Sequence, residues 1–354
     1  MTAGAQDPET TGAPAAAAPG LVDVHAHFVT GRYAAEARAA GHVRPDVMPG
    51  WPEWSVERQL ALMDRAGIAR AYLSVSSPGT HFGDDRAART LTREMNDFGA
   101  ATRREHPTRF GHFASLPLPD VGGSVEEAAR ALDRLGADGL AVETNAHGVY
   151  LGDPRFEPLW RELDRRRATV FVHPTSPPHA EEVACGLPRP VAEFLFDTAR
   201  AVSTLVFNGV LLRFPHIRWI FTHGGGVLPL LADRMEMFRA GGIVAGAPSV
   251  PVHEQLRELW FDTAGTPFPR QVPALTALFG TERLLYGSDS CWTPDAGVLA
   301  QVASIDAAPQ PAPDTWRSLT ARNAGRLLGA GSDTRRAVAG TTLPATGPVN
   351  TPRL

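Results

Sequence analysis

The residues with the most chemical capacity in this chain stand where apolar runs stop. The first run, Val22-Asp23-Val24-His25-Ala26-His27-Phe28, carries two histidines two positions apart. In an extended strand residues i and i+2 share a face, so His25 and His27 project together, about 6–7 Å apart along the strand. A core rarely takes histidine, because both ring nitrogens need partners. Such a pair either shares a metal ion or consists of two satisfied core residues. Three further runs end in a polar group of the same kind: "TVFVHP" in His173, "IRWIFTHGGG" in His223 and "LLYGSDS" in Asp289. Nitrogen and oxygen donors without thiolate suit Zn, Mn, Fe or Co. Four such ligands with room for a fifth leave a position for substrate.

These residues need a frame that brings four strand ends to one place. Short apolar runs at 21–28, 69–76, 109–117, 139–145, 169–175, 217–225, 259–265 and 283–290 alternate with helical patterns. The runs lack apolar–polar alternation, as expected of parallel strands covered on both faces. Among the helices, "SVERQLALMDRAG" has Ser55 as its cap and stops at Gly67. "GSVEEAARALDRLGA" offers Ser124 and Glu127 as a capping box. Eight strands with intervening helices indicate an α/β protein of one (β/α)8 TIM barrel over residues 20–329. A doubly wound open sheet is the second choice, weakened because no G-x-G-x-x-G follows the first strand. Active sites of such barrels sit at the C-terminal ends of the strands. His25, His27, His173, His223 and Asp289 all fall on that rim. A lone polar residue at a strand end is unremarkable; five on one rim are a poor chance outcome. Residues 29–54 are too long for an ordinary strand–helix loop and are expected to act as a lid.

Bulk properties exclude several functions. The chain has 354 residues, 43% hydrophobic and 20% charged, with a net charge of −4. That balance makes no electrostatic case for nucleic acid or an anionic membrane. All 34 basic residues are arginine. Cys185 and Cys291 imply no disulfide framework and make the cytoplasm the default compartment. Residues 1–19 and 330–354, rich in Ala, Pro and Gly, are expected to be a disordered leader and tail. The leader lacks the basic start and apolar stretch of a signal peptide. No apolar run approaches the ~20 residues that span a bilayer.

The set His25-x-His27, His173, His223 in "THGGG" and Asp289 in "GSD" resembles the metal-dependent decarboxylase branch of the amidohydrolase superfamily. That branch includes amino-carboxymuconate-semialdehyde decarboxylase and the resorcylate decarboxylases. The stretches "AGHVRPDVMPGWPEWS", "LSVSSPGTH", "FASLPLPD" and "HGVYLGDP" are similar to the 6-methylsalicylate decarboxylases. The resemblance implies that His25, His27, His173 and Asp289 bind one divalent metal ion, Zn or Mn. It leaves His223 as an unligated catalytic histidine, with Asp289 or His223 delivering a proton to the ring. It implies release of CO2 from a 2-hydroxybenzoate such as 6-methylsalicylate, with no redox or organic cofactor. A metal-dependent hydrolase or hydratase acting on a lactone, amide or alkene is the alternative on the same scaffold. A binuclear site built on a carboxylated lysine is disfavoured, since the chain has no lysine.

The resemblance also suggests that Arg234, eleven residues after His223, reaches a neighbouring subunit's site, which implies a homodimer or higher homo-oligomer. Where such enzymes carry a second arginine after strand 1, this chain has Gly50 flanked by Trp51 and Trp54, suggesting a flatter, more apolar pocket. Asn145, His147 and Trp292 are candidate substrate contacts, and His81 ranks with them. Cys291 is expected to be a small core residue. His42, His106, His112, His179, His216 and His253 are expected on the surface or in loops.

Overall fold

The structure is a computed structural model that describes residues 20–329, so the expected leader and tail lie outside the described residues. Seven strands form one sheet: β1 (Leu21–His27), β2 (Ile68–Ser74), β3 (Phe110–Ser115), β4 (Gly139–Glu143), β5 (Thr169–His173), β6 (Arg218–Phe221) and β7 (Trp260–Phe261). They follow one another in sequence order and every neighbouring pair is parallel. The eighth expected strand, 283–290, is not a continuous ladder. Three isolated parallel bridges, Phe261–Leu284, Asp23–Tyr286 and Ala26–Ser290, stitch it between β7 and β1. The Leu285 amide donates to the Phe261 carbonyl at 2.8 Å, and the Val24 amide donates to the Tyr286 carbonyl at 3.0 Å. The segment cannot stay extended because Asp289 turns to φ +57°. It also crosses too close to β1, since a Cβ on Gly287 would lie 2.8 Å from the Cβ of His25. The sheet nonetheless closes, so the architecture is the (β/α)8 barrel and not an open doubly wound sheet.

The longer helices are α1 (Gly31–Ala39), α2 (Val56–Ala66), α3 (Asp85–Glu105), α4 (Val121–Arg130), α5 (Glu157–Arg165), α6 (Glu193–Phe207), α7 (Leu228–Ala240), α8 (Val272–Phe279), α9 (Asp295–Ala307) and α10 (Trp316–Ala324). The α2 boundaries are those the sequence predicts: the Ser55 hydroxyl accepts from the Arg58 amide, and Gly67 ends the helix at φ +68°. The expected capping box of α4 is corrected. Asp120 is the cap, its carboxylate accepting from the Gly123 amide at 3.0 Å. Ser124 is buried inside the helix. Arg89 decides the contest, holding Asp120 in place with two hydrogen bonds of 2.5 and 3.0 Å.

Inside the barrel Val24, Tyr72, Phe113, Ala141, Phe171, Ile220, Trp260 and Leu285 pack into one apolar cluster, one residue from each strand and one from the closing segment. Side chains alternate along a strand, so the residue two positions on from each core residue faces the same interior one layer higher. On β2 to β7 those positions are Ser74, Ser115, Glu143, His173, Thr222 and Asp262. The apolar plug thus carries a polar layer at the C-terminal end of the barrel. On β1 the phase changes. Asp23 pairs with Ala71 but Ala26 pairs with Leu73, so β1 spends one extra residue. Such a bulge re-aims side chains. The buried Asp23 carboxylate pins it, accepting from the His25 and Ser288 amides, both at 3.0 Å, and from the Ser288 hydroxyl at 2.6 Å.

Residues 29–54 hold α1 and a short 3-10 turn at Pro45–Val47. Trp51 ties this insertion down, donating from Nε1 to the His42 carbonyl at 2.8 Å and lying 5.6 Å from the Trp292 ring.

Candidate active site

Five side chains from four sequence-distant segments converge on the polar layer. His25 and His27 bring their Nε2 atoms to 3.0 Å. Asp289 Oδ1 lies 3.4 Å from each of them. The rings of His173 and His27 are 4.8 Å apart, and His223 stands 5.0 Å from His25. His25, His173, His223 and Asp289 each offer one donor atom, all within 4.8 Å of one another. The five rim residues singled out from the sequence are therefore brought together. His25 and His27 are fully buried and His173 nearly so, whereas His223 keeps 12% and Asp289 20% of its side chain exposed. Those two are the members of the cluster that look outward.

The cluster fits a cation. Ligand nitrogens about 2.1 Å from one ion stand about 3.0 Å apart when they subtend a right angle, which is the His25–His27 spacing. Asp289 Oδ1 is buried without a hydrogen-bond partner among the described residues. His25 donates from Nδ1 to Asp262 Oδ2 at 2.8 Å, which orients the ring and turns Nε2 toward the cluster. Burial opposes charge on His25, yet the carboxylates of Asp262 and Asp289 outweigh it and lift the group to about 10. Burial likewise opposes charge on Asp289, but His25, His223 and His27 hold its carboxyl well below the usual range. Burial and the neighbouring imidazoles press His173 well below the usual histidine value. Positive charge is wanted at this point, while burial makes His27 and His173 poor proton carriers. A divalent ion answers both conditions.

Two groups that sequence reasoning missed support the cluster. Asp262, which ends the β7 run, joins His25 to His223: its Oδ1 accepts from the His223 amide at 2.8 Å and the Ala264 amide at 3.0 Å. Ser74 holds His27 through Oγ and Nδ1 at 3.0 Å. The third omission is Glu143, at the end of β4, whose Oε2 is 3.7 Å from His173 Nδ1. The signal for Asp262 and Glu143 is the alternation rule, since they lie two residues beyond the core residues Trp260 and Ala141.

A cavity of about 680 Å³ is lined by Glu143, 3.7 Å from His173, though by none of the five cluster residues themselves. Its lining includes His42, Arg44 and Asp46 from the insertion, with Glu143, Thr175 and Arg189 from the barrel mouth. Apolar residues such as Val47, Leu116, Leu118 and Val142 line it as well, so polar and apolar groups share its wall. Trp51 and Trp54 stand where an arginine was sought, but they pack inward, Trp54 against Phe28 and Phe98, while the insertion sends polar residues to the cavity.

The other candidates divide. Asn145 and His147 line the cavity. The Asn145 amide is already committed, donating to Asp197 at 2.9 Å and the Ser176 carbonyl at 3.2 Å and accepting from the Gly148 amide at 2.9 Å. His147 continues a rim chain in which Asp85 and His147 each lie 2.9 Å from a nitrogen of His81. Trp292 is not among the cavity-lining residues; it donates to the Ser76 hydroxyl at 2.6 Å and braces Trp51. Arg234 lies outside this chain's own site, exposed on α7 with its guanidinium 5.1 Å from the Phe238 ring. Cys291 is half-buried against the core, and burial pushes its thiol up to about 12. His112, expected at the surface, is instead fully buried where β3 meets α3. It lies on the strand face opposite Phe113, which is covered by Gly99 of α3.

Residues 22–330 match the amidohydrolase family. The chain is 36% identical to decarboxylase yanB of Aspergillus niger over 289 residues, covering 77% of each protein. It is 32% identical to the 6-methylsalicylic acid decarboxylase of Penicillium expansum, covering 78% of this chain and 87% of that one. Among solved structures, the dihydroxybenzoic acid decarboxylase of Polaromonas, which holds manganese and 2-nitroresorcinol, superposes with a TM-score of 0.74 at 22% identity over 88% of this chain and 97% of its own. The family match over residues 22–330 and the relatives above 30% identity place the chain in the amidohydrolase family, among its decarboxylases.

Proposed function

We propose that this enzyme is a non-oxidative decarboxylase of a 2-hydroxybenzoate-type acid such as 6-methylsalicylate. The observation that carries the reading is the convergence of His25, His27, His173, His223 and Asp289 beside a cavity in a chain more than 30% identical to aromatic acid decarboxylases. His25, His27, His173 and Asp289 are the proposed ligands of one divalent cation, manganese or zinc. Bound there, the cation supplies positive charge against which the substrate carboxylate and its neighbouring hydroxyl are oriented.

The chain's own residues then manage a proton. Direct loss of CO2 would leave an aryl carbanion, so the carboxyl-bearing carbon is protonated first. His223 Nε2 and Asp289 Oδ2 lie 3.5 Å apart on the outward side of the cluster, within reach of relaying a proton. Asp289 is the proposed final donor and His223 the group that supplies it. The ring carbon gains that proton, the C–C bond breaks, its electron pair returns to the ring, and CO2 departs. One proton is consumed per turnover and is replaced from solvent. The insertion 29–54, braced by Trp51 and Trp292, is the proposed lid that limits water at this step. With both cysteines free, the cytoplasm is the proposed compartment.

Arg234 is proposed to complete the site of a second copy. Leu230, Arg234 and Met237 recur at helical spacing on one exposed stripe of α7, where Leu230 is 81% and Met237 57% exposed.

The deciding experiment is turnover of 6-methylsalicylate and related hydroxybenzoates by metal-loaded enzyme in D2O. The expected result is CO2 and a phenol with one deuterium at the carbon that bore the carboxylate. An ortho-methoxy analogue should be nearly inert. A lactone or amide hydrolysed while no hydroxybenzoate releases CO2 would overturn the proposal in favour of a hydrolase.

A further inference from the structure

One fully buried carboxyl group lies behind the cavity wall and outside the metal cluster. Asp197, on α6, has no exposed surface and is not among the residues that line the cavity. Three donors converge on it. The Thr144 hydroxyl donates to Oδ2, the Asn145 amide donates to the same oxygen at 2.9 Å, and the Tyr150 hydroxyl donates to Oδ1 at 2.5 Å. These residues bracket the hairpin that follows β4, in which Asn145–Ala146 pairs with Val149–Tyr150. Two of the three pass the constraint on. Thr144 Oγ1 accepts from the Thr175 amide at 3.2 Å, and the Asn145 amide also donates to the Ser176 carbonyl at 3.2 Å. Asp197 is thus tied by parallel bridges to consecutive residues of the loop after β5. A buried carboxyl group is costly unless its oxygens are satisfied, so these bridges are hard to release.

The far end of this chain of bonds meets the insertion. The Ser176 hydroxyl donates to Oδ1 of Asp46, a cavity-lining residue, at 2.6 Å. Burial raises the proton affinity of Asp46, and the hydroxyls of Ser176 and Ser77 lower it. A carboxyl oxygen accepts in either protonation state, so the bond does not depend on the charge. Asp46 and Val47 adopt φ +50° and +62°. Val47 is β-branched, and such a backbone persists only where its surroundings impose it. Among the described residues, the hydrogen bonds of residues 41–49 to parts of the chain outside the insertion run through Asp46. The strained turn is therefore held from the loop after β5, and that loop from Asp197. Resting on the decarboxylase reading for its kinetic consequence, we propose that Asp197 is a positioning residue that, through Thr144, Asn145 and Ser176, keeps Asp46 and the insertion closed over the cavity.

The test follows amide hydrogen exchange across residues 41–49 of the metal-loaded full chain, where the Val47 and Met48 amides donate to the Arg44 and Pro45 carbonyls. Ser176→Ala should speed exchange there about fivefold, the effect of one hydrogen bond on a local opening. Ser176→Thr, which keeps the hydroxyl, should restore protection. Asp197→Asn should speed exchange likewise, both there and in 145–150. Thr144→Val cuts one bridge without touching the carboxyl group and carries the test if Asp197→Asn does not fold. Combining Ser176→Ala with Asp197→Asn should add little within 41–49, because both act through one link. Elemental analysis should find full metal in every variant. KM for 6-methylsalicylate should rise by a larger factor than kcat falls, since the loosened wall bounds the cavity and not the cluster. Exchange in 41–49 unchanged within about twofold, in Ser176→Ala or in the folded variants of Asp197 and Thr144, would overturn the proposal, as would faster exchange with KM unchanged. Absence of CO2 from every hydroxybenzoate would overturn the decarboxylase reading instead, with the exchange results still deciding whether Asp197 holds the insertion.

Discussion

His223 and Asp289, the two outward-looking members of the cluster, share a backbone feature: both adopt positive φ, +52° and +57°. For a non-glycine residue this costs on the order of 1–3 kcal/mol and persists only where surrounding bonds impose it. Here the His223 amide donates to Asp262 Oδ1 and the Asp289 amide donates to the His25 carbonyl, each at 2.8 Å. His223→Asn should therefore keep its metal and lose most turnover, about 10²–10⁴-fold, the usual contribution of a general acid–base group. Elemental analysis and kcat measured on one preparation check it, and a variant within threefold of wild type would remove His223 from the chemistry. Asp262→Asn should act differently. It keeps an acceptor but weakens the hold on His25, and outer partners of this kind are worth about 10–100-fold in metal affinity. Competition with a chelator measures that loss, and unchanged affinity would show that His25 needs no carboxylate behind it. The five rim residues were legible in the sequence because each stands where an apolar run stops. Asp262 and Glu143 stand at such ends too, but acidic residues there are commonly taken as loop beginnings.

The elements show why legibility fades. Strand positions were readable from apolar runs, yet the runs overstate the strands: 217–225 was expected where β6 is Arg218–Phe221. After β6, His223, Gly224, Gly225 and Gly226 all take positive φ, and a Cβ on Gly226 would lie 2.3 Å from the Leu195 carbonyl oxygen. Composition does not announce a turn enforced by a neighbouring helix. The β1 bulge was equally hidden, since it depends on Asp23 meeting Ser288 across 265 residues. His112 is a third case, because a histidine in an apolar strand does not declare which face it takes. Both of its ring nitrogens lack partners among the described residues, and burial pushes the group down to about 3. The fold accepts only neutral His112, whereas the unfolded chain takes up a proton near pH 6.5. Its contribution is thus fully present above about pH 6.5 and is lost as pH falls toward 3. One proton corresponds to about 1.4 kcal/mol per pH unit, or about 2 kcal/mol between pH 6.5 and 5. His112→Leu should lose correspondingly less stability over that interval, as read by denaturant midpoints at pH 7.5 and 5. Parallel losses in the two proteins would show that His112 is solvated or paired on folding.

At the scale of the whole molecule, the barrel accounts for every proposed metal ligand but not for Arg234. That side chain points away from this chain's own cavity, in company with Leu230 and Met237 on the same exposed face of α7. An interface with a second copy on this face would cover both apolar side chains along with Arg234. If Arg234 serves a second copy's site, a site draws its metal ligands from one chain and its arginine from another. Arg234→Ala and His25→Ala would then each be defective, for different reasons. In a mixed dimer of the two variants, one site has both defects and the other has neither. Mixing equal amounts under conditions that allow subunit exchange puts about half of the dimers in the mixed form, each with one intact site, so about a quarter of wild-type activity should return. Light scattering should show a dimer or larger at the assay concentration. The arrangement also requires activity to fall on dilution below the dissociation constant, even with metal and substrate saturating. A monomer at working concentration, or an Arg234→Ala enzyme as active as wild type, would leave α7 as an ordinary outer helix and the site as the property of a single chain.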